Sequence, residues 1–418
     1  MAAVALALPK AFGRVEPVSF SQIFGDLPVR GLMGTSLSAS GASVEAVLRQ
    51  TQFDLRDFAL LISPVAGERL EELCRRSQGV ARQRFGNVIR FFAPLYLSNE
   101  CINNCKYCGF SRDNPILRVT LSVEEAVREA KSLNAQGFRN ILLVAGEHPK
   151  FVSNGYLAEC VAALREEVPG ISLEVGPMET EDYRALCAAG AEGLVVYQET
   201  YDREVYSQMH TAGPKRDFDW RLETPERAYA AGFRRLGIGA LFGLSDWRWE
   251  ALSVAAHVQH LLRHCWKAQI TVSLPRLRPN AGEFEPLTHL SDRELTQLNC
   301  AFRLTFPDVG LVLSTREPAK LRNGLIPLGI THISAGSHTE PGGYTGAGKE
   351  KIHLTTRGRR VELDPLAEER SPGSRATAAT GQFEIADNRS PAEVATLVKS
   401  LGYEPVWKDW DKGLAWTG

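Results

Sequence analysis

Short, continuously apolar runs alternate with longer amphipathic stretches through most of the chain. Eight such runs, rich in valine, isoleucine and leucine, occupy residues 91–98, 140–146, 172–176, 193–199, 235–244, 270–277, 310–316 and 332–337. Continuous apolar runs are typical of strands buried on both faces, and intervening helices require those strands to pair in parallel. The pattern therefore predicts an α/β fold, a complete (β/α)8 barrel of the TIM type, over residues 85–340.

The segment before the barrel has a different pattern. Residues 1–84 contain no strand-like run, but Asp54 is a helix-capping residue and residues 64–76 carry apolar side chains at helical spacing. This predicts an N-terminal helical leader, in which the serine-rich residues 36–43 form a flexible link.

The segment after the barrel is expected to have two parts. Residues 341–381 are rich in Gly, Thr, Arg and Glu and poor in large apolar residues, which predicts a mobile loop. Residues 382–418 are expected to form a small C-terminal α+β extension, with a short strand over 382–387 and a helix over 390–402.

Composition narrows the kinds of partner. The 48 Lys and Arg residues nearly balance the 49 Asp and Glu residues, so no nucleic-acid or anionic-membrane partner is expected, and a small-molecule substrate fits better. The apolar residues 1–9 lack a preceding positive charge and are too short to span a bilayer, so no secretory signal is expected. Five of the eight cysteines stand singly and are expected to be buried hydrophobic residues: Cys74, Cys160, Cys187, Cys265 and Cys300.

The other three cysteines lie within eight residues, as Cys101-x3-Cys105-x2-Cys108, directly after the first predicted strand. Three thiols can bind one metal centre, but a structural zinc site takes four protein ligands, whereas iron-sulfur clusters are held by thiolates. The alternatives are a chance grouping of cysteines or a zinc site with a distant fourth ligand. The iron content of the protein would distinguish an iron-sulfur cluster from both.

The cysteine loop, with Tyr107 before its last cysteine and Gly109-Phe110 after it, resembles the cluster loop of the radical S-adenosylmethionine (SAM) superfamily. The resemblance implies that Cys101, Cys105 and Cys108 bind a 4Fe-4S cluster whose fourth iron chelates SAM. It also implies that Tyr107 packs near the adenine. Such a cluster is oxygen-sensitive, so a cytoplasmic location is expected.

Polar residues end the other predicted strands, where barrel enzymes carry their chemistry. Glu147, Glu199 and Arg316 favour a functional role, although any loop of this kind is polar. His148, Asp246 and His338 also follow predicted strands, and each is either a functional residue or an ordinary polar loop residue. Arg276 and Arg278 add positive charge at the same end of the barrel, but no role is assigned to them.

A narrower resemblance rests on eight stretches, residues 92–99, 142–148, 196–201, 217–227, 237–244, 275–279, 313–318 and 407–411. Together they are similar to the 2-iminoacetate synthase family, the tyrosine lyases of bacterial thiamine thiazole biosynthesis, from about residue 54 to the C-terminus. The resemblance implies cleavage of the Cα–Cβ bond of L-tyrosine to 2-iminoacetate and p-cresol, with SAM converted to 5′-deoxyadenosine and methionine.

The same resemblance implies a role for each matching residue. SAM is contacted by Gly146 and Glu147 at its amino group, by Glu199 at the ribose, and by backbone approaching closely at Gly237 and Gly239. The substrate carboxylate is bound by Arg316, with Ser334 and Tyr96 around the substrate backbone. Thiazole synthase and a flavodoxin or ferredoxin reductant are the implied partners.

Three other kinds of protein are alternatives to this interpretation. A tryptophan lyase of thiopeptide biosynthesis belongs to the same class, and a non-catalytic iron-sulfur scaffold protein belongs to a different one. The maturase of iron-only hydrogenase carries a second cluster on C-terminal cysteines, but no cysteine follows Cys300 here. The aromatic residues Trp407 and Trp410 suggest a cap on the core or a docking surface, and the cap is favoured.

Overall fold

The computed structural model describes residues 18–361 and 378–407. Its strands are β1 (Val88–Ser98), β2 (Asn104–Cys105), β3 (Ile116–Arg118), β4 (Asn140–Ala145), β5 (Gly170–Glu174), β6 (Gly193–Val195), β7 (His210–Ala212), β8 (Arg235–Gly239), β9 (Gln269–Ser273), β10 (Gly310–Leu313), β11 (His332–Ser334), β12 (His353–Thr356), β13 (Arg359–Val361) and β14 (Glu404–Val406).

The helices are α1 (Phe20–Phe24), α2 (Val29–Leu37), α3 (Gly41–Leu48), α4 (Leu55–Leu61), α5 (Pro64–Glu68), α6 (Leu70–Phe85), α7 (Val123–Ala135), α8 (Asn154–Leu164), α9 (Thr180–Ala189), α10 (Arg203–Met209), α11 (Phe218–Leu222), α12 (Thr224–Ala231), α13 (Trp247–His264), α14 (Asp292–Thr305), α15 (Ala319–Leu325) and α16 (Pro391–Ser400).

Eight parallel strands close into a barrel in the order β1, β4, β5, β6, β8, β9, β10 and β11, and β11 pairs back onto β1. All eight predicted strands are present, so the predicted (β/α)8 barrel is confirmed. In β1, Phe91, Ala93 and Leu95 are fully buried in the core shared with the helices, whereas Phe92 and Tyr96 line cavities inside the barrel. The alternation separates the structural core from the interior surface.

The predicted helical leader is confirmed from residue 18 onward, since α1 to α6 precede the barrel, and α2, α4, α5 and α6 pack on α13 or α14 outside it. The flexible link predicted at 36–43 is wrong. Helix α2 runs through Leu37, and Ser40 caps α3 by accepting a hydrogen bond from the Ser43 amide at 3.1 Å. The serines thus cap a helix whose apolar positions, such as Val44, are buried.

The segment that follows the barrel differs from its prediction. The described part of residues 341–381, predicted as a mobile loop, includes the hairpin β12–β13, which pairs with β3. The strand predicted over 382–387 is wrong, because its backbone bonds to loops at the barrel mouth. There the amide of Gln382 donates to the carbonyl of Thr339 at 3.0 Å, and that of Glu384 donates to Pro279 at 2.9 Å.

The last described residues return to regular structure. The helix predicted over 390–402 is present as α16, and β14 pairs in parallel with the start of β1. The Trp407 ring packs against Phe91 and Phe138, with centroids 4.6 and 5.1 Å apart, as a cap on the core does. Trp410 lies outside the described residues. No helix in the described ranges combines the length and apolar character needed to cross a bilayer.

Candidate active site

The three clustered cysteines lie in the loop after β1, at the carboxyl end of the barrel. Cys101, Cys105 and Cys108 line one cavity, and all three thiols are free. The loop is held by the segment around β7, since the Lys106 amide donates to the Met209 carbonyl at 3.1 Å and β2 pairs with β7. Burial raises the pKa of the Cys101 and Cys105 thiols, and binding to a metal would favour the thiolate form of both.

The donor set fits an iron-sulfur cluster. No three His, Cys, Asp or Glu side chains in the described residues gather closely enough to hold a single metal ion. In a 4Fe-4S cluster each cysteine binds a different iron, so the sulfurs need not converge on one point. Only glycine fits at position 146, where the chain packs closely against the cysteine loop. A Cβ there would lie 2.2 Å from the Glu100 carbonyl oxygen and 3.2 Å from Cys101 Cβ.

Glu147 binds the cysteine loop directly. Its carboxylate accepts a hydrogen bond from Asn103 Nδ2 at 2.7 Å, and its carbonyl accepts from the Ile102 amide at 2.8 Å. Gly146 and Glu147 therefore connect the end of β4 to the loop. Their contact with the SAM amino group stays a prediction.

Glu199 lies in the same cavity and pairs with two cations. Its carboxylate is 2.7 Å from Lys215 Nζ and 3.4 Å from the Arg221 guanidinium. Burial raises the pKa of Glu199, but Lys215 and Arg221 outweigh it and hold the pKa below its usual value. The backbone of Glu199 has φ +71°, which non-glycine residues seldom adopt. An ionised carboxylate in a constrained backbone suits an acceptor role.

Lys215 and Arg221 were not identified from the sequence. Arg221 lies inside one of the stretches that carry the family resemblance, and that was the available signal. Lys215 precedes this stretch and has no comparable signal, because its pairing with Glu199 depends on a turn between β7 and α11.

Tyr107 is buried and fixed by a hydrogen bond. Its hydroxyl lies 2.7 Å from His210 Nε2, and Lys215 Nζ is 5.6 Å from the ring centroid. Burial, assisted by Lys215, lowers the pKa of His210 to about 3, so this imidazole is neutral. The ring is thus held rigidly beside the cysteines, and its packing on adenine stays a prediction.

A second cavity adjoins the first and brings together the three predicted substrate residues, Tyr96, Arg316 and Ser334. The guanidinium of Arg316 lies over the Phe383 ring, with Cζ 3.4 Å from the centroid. The Tyr96 hydroxyl donates to Gln382 Oε1 at 2.8 Å. Gln382 and Phe383 belong to the segment at the barrel mouth and were not identified from the sequence.

Gly237 and Gly239, which were predicted to approach SAM, do not line the cavity that contains the cysteines. Gly237 lines the interior cavity of the barrel, and a Cβ there would be 2.9 Å from Val195 Cγ2. A Cβ on Gly239 would lie 2.1 Å from the Ser273 carbonyl oxygen. Both glycines permit close strand packing, and their approach to a nucleoside stays a prediction.

The remaining polar candidates make local contacts. Asp246 caps α13 by accepting two backbone hydrogen bonds, and Arg276 pairs with Glu317. The Nδ1 atom of His148 lies 3.2 Å from a backbone amide two residues on, and His338 Nδ1 lies 2.9 Å from a carboxylate oxygen two residues on. These contacts account for the four side chains structurally. The buried Nε of Arg278 has no hydrogen-bond partner within the described chain.

Comparison with known proteins identifies two matching families. Residues 95–254 match the Radical SAM superfamily, and residues 273–404 match the Biotin and Thiamin Synthesis associated domain. The chain is 42% identical to 2-iminoacetate synthase of Escherichia coli (strain K12), over 90% of this chain and 92% of that protein. It is 40% identical to the Salmonella typhimurium enzyme, with coverage of 91% and 92%.

Solved structures agree with these matches. The crystal structure of HydG, a maturase of the [FeFe]-hydrogenase, has a TM-score of 0.80 at 29% identity, over 93% of this chain and 82% of that chain. Methylornithine synthase (PylB), at 22% identity and a TM-score of 0.65 over 87% of this chain and 97% of that chain, shares the fold. Radical SAM enzymes use a 4Fe-4S cluster and SAM, and three free thiols at the barrel mouth supply the ligand type that the cluster needs. The chain belongs to the 2-iminoacetate synthase family of radical SAM enzymes.

Proposed function

We propose that this chain cleaves the Cα–Cβ bond of L-tyrosine to give 2-iminoacetate and p-cresol, with SAM converted to 5′-deoxyadenosine and methionine. The observation that carries the proposal is the junction of the two cavities. The cysteine cavity and the Arg316 cavity share four lining residues, Val144, Glu174, Tyr197 and Gln382. A substrate held by Arg316 therefore lies next to the place where the cofactors bind.

In this proposal the first cavity holds the cofactors. Cys101, Cys105 and Cys108 bind the 4Fe-4S cluster, which with SAM supplies a 5′-deoxyadenosyl radical. The chain orients SAM through Tyr107, Gly146, Glu147 and Glu199, whereas Gly237 and Gly239 do not line this cavity. The ion pairs of Glu199 fix its carboxylate before any ligand arrives, so little conformational freedom is lost on binding.

The second cavity orients the amino acid. A planar guanidinium binds a carboxylate through two parallel hydrogen bonds, and Arg316 already packs on the face of Phe383. Ser334 and Tyr96 lie beside it and fix the substrate backbone. Apolar walls that include Phe92 and Leu142 exclude water from the reacting atoms.

The product and the electron source imply partners. An imine hydrolyses readily in water, so transfer to a thiazole synthase protects 2-iminoacetate, and the Biotin and Thiamin Synthesis match supports this setting. A flavodoxin or ferredoxin supplies the electron, in the reducing environment of the cytoplasm. The presence of an adjoining substrate cavity argues against a purely structural iron-sulfur protein.

The test is anaerobic turnover with the cluster reconstituted. Dithionite, SAM and L-tyrosine are added, and 5′-deoxyadenosine and p-cresol are measured by mass spectrometry, with L-tryptophan in a parallel reaction. Near-equal amounts of both products from tyrosine support the proposal. Turnover of tryptophan instead would replace it with the related tryptophan lyase. The absence of both products from a fully loaded protein would favour a scaffold.

A further inference from the structure

Glu174 is the last residue of β5, at the carboxyl edge of the barrel. It lines both the cysteine cavity and the Arg316 cavity. Its side chain is partly buried, and the accessible part faces these two cavities. A ligand in either cavity therefore meets this carboxyl group.

The carboxyl group of Glu174 has no hydrogen bond and no ion pair within residues 18–361 and 378–407. Other enclosed carboxylates of the barrel all have partners. Glu199 pairs with Lys215, Glu250 accepts from the Tyr201 amide at 2.8 Å, and Glu129 accepts from the Tyr344 amide at 2.9 Å. The oxygens of Glu174 stay accessible from the cavities, so they are available to accept hydrogen bonds from a ligand.

The charges that face Glu174 come from several elements. Arg316, after β10, is the cation with the largest effect on it, and Arg221 and Lys215 act more weakly. Glu199 is the facing carboxylate, and the hydroxyls of Tyr96 and Tyr197 also face it. Burial prevails over the cations and raises the pKa of Glu174 to about 7.

We propose that Glu174 binds the α-ammonium group of the amino-acid substrate whose carboxylate Arg316 binds. An amino acid at neutral pH is a zwitterion, and one cation with one carboxylate facing the same cavity match its two charges. Because Glu174 also lines the cysteine cavity, the substrate nitrogen is held on the side where the radical forms. This assignment rests on the proposed function and adds a recognition residue to it.

The decisive comparison uses two ligands that differ only in the amino group. L-Tyrosine and 3-(4-hydroxyphenyl)propionate share the phenol and the carboxylate, and the second lacks the nitrogen. Their affinities are measured by anaerobic equilibrium dialysis on the full chain with the cluster reconstituted and SAM present. The variants are Glu174→Gln, which keeps the shape and removes the charge, and Glu181→Gln, an exposed carboxylate on α9, as the matched control.

Glu174→Gln is expected to weaken tyrosine binding by about tenfold or more, because a hydrogen bond to a charged group is lost. The deaminated ligand should bind it as well as it binds the wild type, and Glu181→Gln should change neither affinity. Unchanged tyrosine binding, or equal weakening of both ligands, would overturn the assignment. Weaker SAM binding with unaltered tyrosine binding would instead assign Glu174 to the cofactor and overturn it too.

Two further measurements keep the result interpretable. If Glu174→Gln fails to load iron, Glu174→Asp replaces it, since a shorter carboxylate should retain a preference for tyrosine over the deaminated ligand. Failure of the proposed function is seen separately, as absence of p-cresol from the wild type. In that case L-tryptophan and indole-3-propionate replace the ligand pair, and Glu174→Gln must weaken the binding of L-tryptophan alone for the assignment to stand.

Discussion

Replacing Arg316 with alanine tests how the substrate carboxylate is bound. The guanidinium packs on Phe383, and Arg316 lines the same cavity as Ser334. Two charge-assisted hydrogen bonds contribute about 3–4 kcal/mol together, which corresponds to about a 10²- to 10³-fold loss in kcat/KM for tyrosine. The lost contact with Phe383 should cost only about 1 kcal/mol of folding free energy.

The assay measures initial rates of p-cresol formation under anaerobic conditions, together with iron per chain. Iron content should match the wild type, because Arg316 makes no contact with the cysteine cavity. Arg316→Lys keeps the charge but not the planar fork, so it should recover part of the loss. A kcat/KM within about threefold of wild type for Arg316→Ala, at full iron content, would refute the assignment.

Three other predictions follow from the geometry. Gly146→Ala places a Cβ 2.2 Å from the Glu100 carbonyl oxygen, so iron per chain after reconstitution should fall well below wild type; full iron loading would contradict the required glycine. Arg322→Met leaves buried Asp387 with one of its two cations, and the free energy of unfolding in urea should fall by about 3 kcal/mol; a fall below about 1 kcal/mol would show that Arg389 suffices. Because the pKa of Glu174 is about 7, its charge is mostly present at pH 8 and mostly lost at pH 6; tyrosine affinity should therefore fall about tenfold as the pH drops, while that of 3-(4-hydroxyphenyl)propionate does not, and a parallel fall for both ligands would contradict the ammonium contact.

The barrel could be predicted because its signal is local. Each parallel strand is a continuous apolar run, and all eight runs correspond to strands. Several predicted ends extend too far, as in 235–244, where the strand stops at Gly239. Residues beyond it, such as Phe242, remain apolar because they are buried in the loop packing. Apolar character therefore indicates burial better than it indicates a strand end.

Part of the site was accessible from the sequence, and part was not. The cysteine spacing and the family stretches led to residues such as Glu199 and Arg316, which the structure places at two adjoining cavities. Glu174 carries a usable signal, a carboxylate at the end of an apolar run, although it is not among the residues predicted for the site. Gln382 carried none, because its place beside Tyr96 depends on a contact between residues 286 positions apart.

The segment that contains Gln382 and Phe383, which bonds to loops at the barrel mouth, also determines when the Arg316 cavity is completed during synthesis. The cysteine loop leaves the ribosome long before Gln382 and Phe383, and β14, which pairs with the first barrel strand, follows later still. Since translation proceeds from the N-terminus at about 5–20 residues per second, the thiols precede these residues by roughly 14 to 60 seconds. A nascent chain therefore exposes its cluster ligands before the segment beside Cys108 exists. The substrate cavity is completed only after Gln382 and Phe383 have been added, long after the cysteine loop has been synthesised.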